Sequence, residues 1–575
     1  MTSLVNDPAD FPKELVQGFI QANSRYVREV FGGVVRSTQS KPGKVAIVTG
    51  GGTGHYPGFM GWVGSGLVDG AVTGNIFSSP SGSQAYSVAK AVDQGAGVII
   101  AFLNYAGDVL HFGQAAEQLR AEGIDAREAV VTDDVASASI DERHKRRGIT
   151  GGLPVFKMAS AAAEAGLSID EVLDVFNRAN DRVRTFGVAF SGCTLPGASH
   201  PLFEVADGTI GVGLGVHGEP GIYETDLGTA DEVAKLLVDR LLEDVPDNPG
   251  KRVAVLLNGL GSAKYEELFV TYTSVTKHLN AAGIEIVEGE VGEFMTSLDM
   301  GGVSLTLVWL DDIIEPYYFA PCDTPAYKRG PLLDPLLPDD VVFNTEPEGL
   351  VVRAPGSAES QAAAQQIARG LAEVKSLLLE KMEELGDLDA IAGDGDHGVG
   401  MERGSRAAAE AAEWLATEGA GAQSTLVGAG SRWSENAGGA SGALWGAALA
   451  AAGNALGDND PIDTAAQSRA IRAFSDSIQR LGGAQVGDKT MVCAQVPFAD
   501  AFEAAAADGK SASEAWAIAA AAAIAAATAT AQLEPKIGRA RVLAQRSLGY
   551  ADPGAVSFGM IVSTMAALFE PTPSN

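Results

Sequence analysis

The chain has 575 residues, too long for one core at roughly 100–200 residues per domain, so two to four domains are expected. A net charge of −32 argues against nucleic acid and anionic membrane as partners, and three cysteines (Cys193, Cys322, Cys493) match neither a zinc spacing nor a disulfide framework. The start, MTSLVNDPADFPKEL, lacks the basic-then-apolar pattern of a secretory signal, so a cytoplasmic globular protein is expected.

Apolar runs of strand length recur through the first 310 residues: KVAIVT at 44–49, GVIIAFL at 97–103, RVAVLL at 252–257 and VSLTLVWL at 303–310. Segments of helical pattern lie between them, such as 114–122 and 155–165. This alternation predicts an α/β domain over residues 1–335. The signals restart near Gly187, so two lobes are expected, 1–186 and 187–335. Eight of the 25 prolines fall between Pro316 and Pro355, a density that suggests an extended connector, and a proline-rich linker is assigned to 336–358. From 359 to 575, Ala/Glu/Leu-rich stretches separated by glycine turns predict an all-α domain. Its stretch 515–531 is almost continuously apolar, but alanine has weak membrane affinity and strong helix propensity, so it reads as a bundle helix.

Three glycine-rich or acidic clusters mark the first domain. GGGTGH at 50–55 follows a strand, where glycines let a ligand approach the backbone; a tight turn explains it equally, and His55 reads either way. NYAGD at 104–108 follows another strand, which sets Asp108 either to cap the next helix or to take a proton from a substrate hydroxyl. GLGVHGEPG at 213–221 surrounds His217 with small residues, which leaves its ring nitrogens accessible for nucleophilic attack or simply makes a glycine turn.

In the second domain Asp389 precedes GDGDHG at 393–398, so three carboxylates fall within eight residues. Such a group repels itself unless a cation holds it; oxygen-only ligands with an expected phosphate partner favour magnesium, and calcium is the main rival, though its twelve-residue loop spacing with a terminal glutamate is absent. A solvated acidic turn is the alternative. GGASG at 438–442, GDKTM at 487–491 and DPGA at 552–555 are further turns that could border phosphate or nucleoside, or only connect helices.

Taken together these motifs resemble the dihydroxyacetone kinase family. SGCTLPG at 191–197, MTSLDMGG at 295–302 and GGASGALWG at 438–446 add to the ordered series, and the resemblance covers nearly the whole chain. It implies a two-lobed α/β ketose-binding domain followed by an all-α helical barrel that binds ATP and Mg2+. It implies that His217 forms a covalent hemiaminal with the ketose, that Asp108 is the general base, and that His55 assists. Gly51, Gly52 and Leu103 would line the pocket. Asp389, Asp394 and Asp396 would hold magnesium; His397, Gly439, Ser441 and Arg546 would face the phosphates, and Asp552 and Gly554 the nucleoside. A homodimer is implied as well. Fusion of both domains in one chain resembles the ATP-dependent branch rather than the one served by a phosphocarrier protein.

The sequence departs from the family around the ketose. Leu103 stands where a lysine is usual, Tyr56 where a glutamate follows the histidine, and Asn75 where an acidic residue is usual. A more apolar corner suggests a changed substrate, a ketotetrose such as D- or L-erythrulose, with dihydroxyacetone next; drift within the family with no change of substrate is the alternative. Two other readings follow from the same resemblance: an FAD-AMP lyase (cyclising) activity, and a non-catalytic regulatory binding protein. The second expects lost catalytic residues, whereas His217, Asp108 and the three aspartates are present.

Overall fold

Uninterrupted Val, Ile and Ala runs form strands that are covered on both faces, the pattern expected of central parallel strands. The computed structural model describes residues 4–219, 221–330, 337, 349–537 and 544–566. The chain divides into two compact units, Met1–Leu337 and Pro338–Asn575.

The first unit opens with α1 (Phe11–Ala22) and a six-stranded sheet of β1 (Val27–Val30), β2 (Gly33–Arg36), β3 (Ala46–Thr53), β4 (Gly70–Ile76), β5 (Val98–Leu103) and β6 (Ala126–Val131). Its order is β1-β2-β4-β3-β5-β6, with β4, β3, β5 and β6 parallel. Successive side chains of a strand face opposite ways. Val98, Ile100 and Phe102 therefore meet α2 (Gly82–Val92) and α3 (Ala106–Ala121) through Val88, Phe112 and Leu119, while Ile99, Ala101 and Leu103 meet α4 (Gly152–Glu164) and α5 (Ile169–Arg182).

The second sheet contains β7 (Val183–Ala189), β8 (Thr209–Val212), β9 (Tyr223–Asp226), β10 (Arg252–Gly259), β11 (Glu285–Gly292) and β12 (Gly302–Trp309), in the order β11-β10-β12-β7-β8-β9. Only β10 and β11 are parallel, so this sheet is mainly antiparallel. One face packs on α6 (Ala230–Leu242) and α7 (Tyr265–Ala281); the other sends Ala254, Leu256 and Val308 into the core that Phe156 and Val175 of α4 and α5 share with the first sheet. Two sheets thus sandwich one pair of helices.

Two expectations change here. The glycines at 50–52 do not form a turn: β3 runs on through Thr53, paired in register with β4 until a shift after Gly52. The proline-rich stretch begins as packed structure, with α8 (Glu315–Tyr318), β13 (Cys322–Asp323) and β14 (Lys328–Arg329). Glu290 gathers it, accepting hydrogen bonds from the hydroxyls of Tyr318 (2.6 Å) and Tyr327 (2.9 Å) and from Arg329 (2.8 Å). Those charge-assisted bonds outweigh proline's local preference for extended chain. Most of the linker assigned to 336–358 lies outside the described residues.

The second unit is helical: α9 (Ala358–Glu380), α10 (Met382–Ala390), α11 (His397–Thr417), α12 (Ala422–Ala437), α13 (Gly439–Leu456), α14 (Thr464–Gly482), α15 (Val492–Ala507), α16 (Ala512–Ala529), α17 (Ala544–Ser547) and α18 (Pro553–Ala566). Contacts run α9-α11-α12-α13-α14-α15-α16-α18 and back to α9, which closes a barrel. An aromatic chain runs through its alanine- and leucine-rich core: Trp433 stacks on Trp445 at 4.9 Å, and Phe474, Phe558 and Phe498 continue it. Gly430 and Gly446 allow α12 and α13 to approach, since a Cβ on either would lie about 2.5 Å from the other's carbonyl oxygen. Helix α16 and the turn after it (Ala512–Gln532) are long and apolar enough to cross a membrane, but Ala515, Ala519, Ala523 and Ala527 pack inward and the Trp516 indole donates to Val562 O of α18.

Candidate active site

The bulge at the end of β3 delivers His55 into the first unit's interior, 2% exposed. The preceding glycines are required by close approach. A Cβ on Gly51 would sit 2.6 Å from the Phe59 ring, and one on Gly52 would sit 2.5 Å from the Ser78 backbone nitrogen. The His55 ring stacks on Phe77 at 4.9 Å, and its Nδ1–H donates to the Thr296 carbonyl at 2.8 Å.

His217 stands in the loop between β8 and β9; Pro220 of that loop lies outside the described residues. Its Nδ1–H donates to Glu219 Oε1 at 2.9 Å, and its Nε2 meets His55 Nε2 at 3.0 Å. A carbonyl and a carboxylate can only accept, so both Nδ1 atoms carry hydrogen. Two neutral rings would then confront each other lone pair to lone pair, and the contact needs one proton between them. Burial, then the His217 charge, lower the pKa of His55 to about 3, so His55 does not become an imidazolium of its own. Burial alone would raise Glu219, but the hydrogen bond and charge of His217 hold it at about 2, so a carboxylate faces the His217 ring N–H.

Asp108 lies in the first turn of α3 and is 6% exposed. The capping alternative does not hold, because Tyr105 occupies the N-cap position. The Asp108 Oδ1 is buried without a partner, as is the Tyr105 hydroxyl, and the Tyr105 ring lies edge-on to His217 at 4.9 Å. Burial raises Asp108 to about 6 against the opposing pull of a Ser79 hydrogen bond and the His217 charge. Native proteins leave few buried polar atoms unpaired, and two beside one histidine fit a ligand that carries hydroxyls.

The three departures from the family do not touch this pair. Leu103, 2% exposed, faces α4, where it packs on Gly148 and Gly152. Tyr56 is exposed, with its ring 6.0 Å from Phe19. Asn75 is exposed and its side chain accepts from its neighbour Ile76 N at 2.8 Å.

In the second unit Asp389, Asp394 and Asp396 offer ligand oxygens that all lie within 4.8 Å of one another. Gly395, at φ +79°, curls the loop so that its N–H donates to Asp389 Oδ2 at 2.9 Å. Asp396 occupies the N-cap position of α11 without a side-chain capping bond, so its carboxylate is not spent on the helix. An all-oxygen set this tight fits magnesium.

His397 is engaged with Ser557 Oγ of α18 at 3.0 Å, and burial lowers its pKa. Asp552 caps α18, accepting from Ala555 N at 2.8 Å; burial raises it to about 6, and Asp389 adds to the rise. Gly554 packs on Asp552 and Met491, where a Cβ would approach within 3.3 Å of each. Gly438 and Gly439 both have positive φ and turn α12 into α13, whose first intrahelical bond is Gly442 N–H to Gly438 O. The N–H groups of Gly439 and Ser441 precede that bond and are available to an anion. Arg546 is exposed on α17.

Sequence reasoning gave no role to Glu219, Tyr105 or Thr296. Glu219 carried a signal, a carboxylate two residues from a histidine. Thr296 acts through its backbone carbonyl and carried none.

Residues 17–326 match the Dak1 domain and residues 391–567 match the DAK2 domain. The chain is 51% identical to the D-erythrulose kinase of Mycolicibacterium smegmatis, over 98% of each chain. It is 50% identical to the L-erythrulose kinase of Pectobacterium atrosepticum, over 99% of this chain and 96% of the relative. The structure of the dihydroxyacetone kinase of C. freundii in complex with AMP-PNP and Mg2+ is similar at 27% identity and TM-score 0.61, over 98% of this chain and 99% of that one. The chain therefore belongs to the single-chain dihydroxyacetone kinase family.

Proposed function

We propose that this protein phosphorylates a terminal hydroxyl of a short ketose with ATP, the ketose being a ketotetrose, D- or L-erythrulose. The observation that carries it is a nucleophilic ring at His217 beside a buried carboxylate, Asp108, with an unpartnered oxygen. The two erythrulose kinases at about half identity support the tetrose and do not separate its two hands.

The chemistry follows from the two groups. The proton shared at Nε2 passes to the carbonyl oxygen as the His217 Nε2 lone pair bonds the ketone carbon and the carbonyl π pair moves to that oxygen. The adduct selects ketones over plain polyols. Asp108 then takes the proton of the terminal hydroxyl as its oxygen attacks the γ-phosphorus and the bond to ADP breaks. His55 assists by sharing the proton between the two Nε2 atoms, and Gly51 and Gly52 let β3 pass close beside the pocket. Asp389, Asp394 and Asp396 would hold magnesium, which when bound neutralises charge on the nucleotide phosphates. Gly439 and Ser441 offer N–H donors to phosphate, with Arg546 a further cation. His397 holds α11 to α18 beside the aspartates, and Asp552 and Gly554 border the nucleoside.

The test is kcat/KM with Mg-ATP for dihydroxyacetone, both erythruloses and glyceraldehyde. An erythrulose is expected to lead by about tenfold, or roughly 1.4 kcal/mol in transition-state binding. A lead for dihydroxyacetone overturns the tetrose assignment, and turnover of no ketose overturns the kinase reading.

A further inference from the structure

The loop that carries His217 is folded around Glu219. One carboxylate oxygen takes the His217 ring N–H at 2.9 Å and the other takes the His217 backbone N–H at 3.0 Å. Gly215 permits this, since a Cβ there would lie 2.0 Å from Glu219 Oε2; Gly218, at φ +80°, closes the turn by donating to the Gly215 carbonyl. Behind the carboxylate, Arg147 Nη1 lies 3.8 Å away, and the same guanidinium is held through Nη2 by Asp134 at 2.8 Å. This is a clamp on one imidazole, with two bonds to the same residue and a cation at the back.

We propose that Glu219 is a positioning residue of the ketose site: it fixes His217 with Nε2 toward the ketose and remains the counter-ion of the imidazolium that the covalent adduct keeps. The inference rests on the ketose-kinase reading above. In the free protein the His217 and His55 Nε2 atoms share one proton. When Nε2 bonds the ketone carbon, that proton goes to the carbonyl oxygen, which becomes a hydroxyl. The ring, now alkylated at Nε2 and still protonated at Nδ1, stays cationic, and nothing is oxidised or reduced. Charge is therefore constant across the step, and the Glu219 carboxylate faces one positive charge before it and after it. The other titratable or charged groups around the ring are His55, Tyr105 and Asp108, with Arg147 and Asp134 behind Glu219. None of them bonds Nδ1.

The test compares Glu219→Gln and Glu219→Asp with wild type, reading KM and kcat for the ketose together with the carbon-13 signal of carbonyl-labelled erythrulose. Glutamine keeps the size and removes the charge. It is expected to raise KM by about 10- to 100-fold, with a much smaller fall in kcat, and to remove the tetrahedral-carbon signal at concentrations that saturate wild type. Aspartate keeps the charge and is expected to restore part of both. Wild-type KM and adduct signal in Glu219→Gln overturn the proposal. So does a loss of kcat with the thermal midpoint in both variants alike, which is what a merely structural role would give. A wild-type protein that turns over no ketose overturns the kinase reading itself and this inference with it.

Discussion

Asp108 stands three residues past Tyr105, and that offset separates the cap of α3 from its carboxylate: Tyr105 takes the N-cap position, while Asp108 lies in the first turn with Oδ1 buried and unpaired. An aspartate at the N-cap would spend an oxygen on a backbone N–H. Here Asp108 does not serve as the cap, and the acid is left for other chemistry.

That acid sets the pH dependence. Burial raises Asp108 from 3.8 to about 6, so a general base there is half ionised near pH 6. The value of kcat is expected to rise with pH through about 6, and Asp108→Asn to remove turnover at every pH. The stability effect runs the other way. The folded chain binds this proton more tightly than the unfolded chain does, so the contribution is full below about pH 4 and is lost as pH rises through about 6. At neutral pH Asp108→Asn is therefore expected to be the more stable protein, by at most about 3 kcal/mol, with the gap closing in acid. Thermal melts of both proteins across that range check the sign.

Tyr105→Phe tests the second orphaned atom. If the buried hydroxyl bonds a ketose hydroxyl, its removal raises KM by about 5- to 10-fold and leaves kcat nearly unchanged, the effect of one lost hydrogen bond. The free variant should be no less stable than wild type, because the atom removed has no partner in the free protein. An unchanged KM would mean that the ring only packs against His217.

The order of domains and the residue clusters were legible in the sequence because each rests on local chemistry: buried runs of Val and Ile, alanine-rich helices, and acids crowded within eight residues. What was not legible depends on contacts far apart in the chain. Thr296 reaches His55 from 241 residues away through a backbone carbonyl that any residue would supply. Glu290 reaches forward to pin the proline-rich stretch that local propensity reads as free chain. Leu103 reads as a pocket residue by its place beside NYAGD, yet strand alternation turns it toward α4. The glycines of GGGTGH were noticed for the right reason, close approach, although what approaches them is Phe59 and the Ser78 backbone within a continuing strand.

Gly51→Ala follows from that contact. A methyl 2.6 Å from the ring of Phe59, itself 5% exposed, must displace the ring or the strand. Overpacking of this kind costs about 1–3 kcal/mol. A lowered midpoint in denaturant with an unchanged slope, and a raised KM for the ketose, are expected. Gly51 has no positive φ, so its cost is the clash alone, whereas Gly43→Ala, where nothing lies within 4 Å of the added carbon and φ is +74°, shows the cost of backbone strain alone.

The aspartate cluster makes the opposite kind of prediction, in which removing a residue helps the metal-free protein. Three ligand oxygens within 4.8 Å repel when no cation lies among them. Asp396→Asn takes away one charge and no capping bond, since the Asp396 side chain makes none. Without magnesium this variant is expected to melt at or above the wild-type temperature. With magnesium the wild type should gain stability as binding shifts the equilibrium, and the variant should gain less. Phosphoryl transfer should fall by about a hundredfold or more, because charge neutralisation on the phosphates is lost. The carbon-13 signal of the ketose adduct should persist, since that chemistry belongs to His217 in the other unit. A variant that melts below wild type without magnesium and responds equally to the ion would show the cluster to be an acidic turn held by its own hydrogen bonds. Loss of the adduct together with transfer would show that the two halves of the chemistry are coupled through folding.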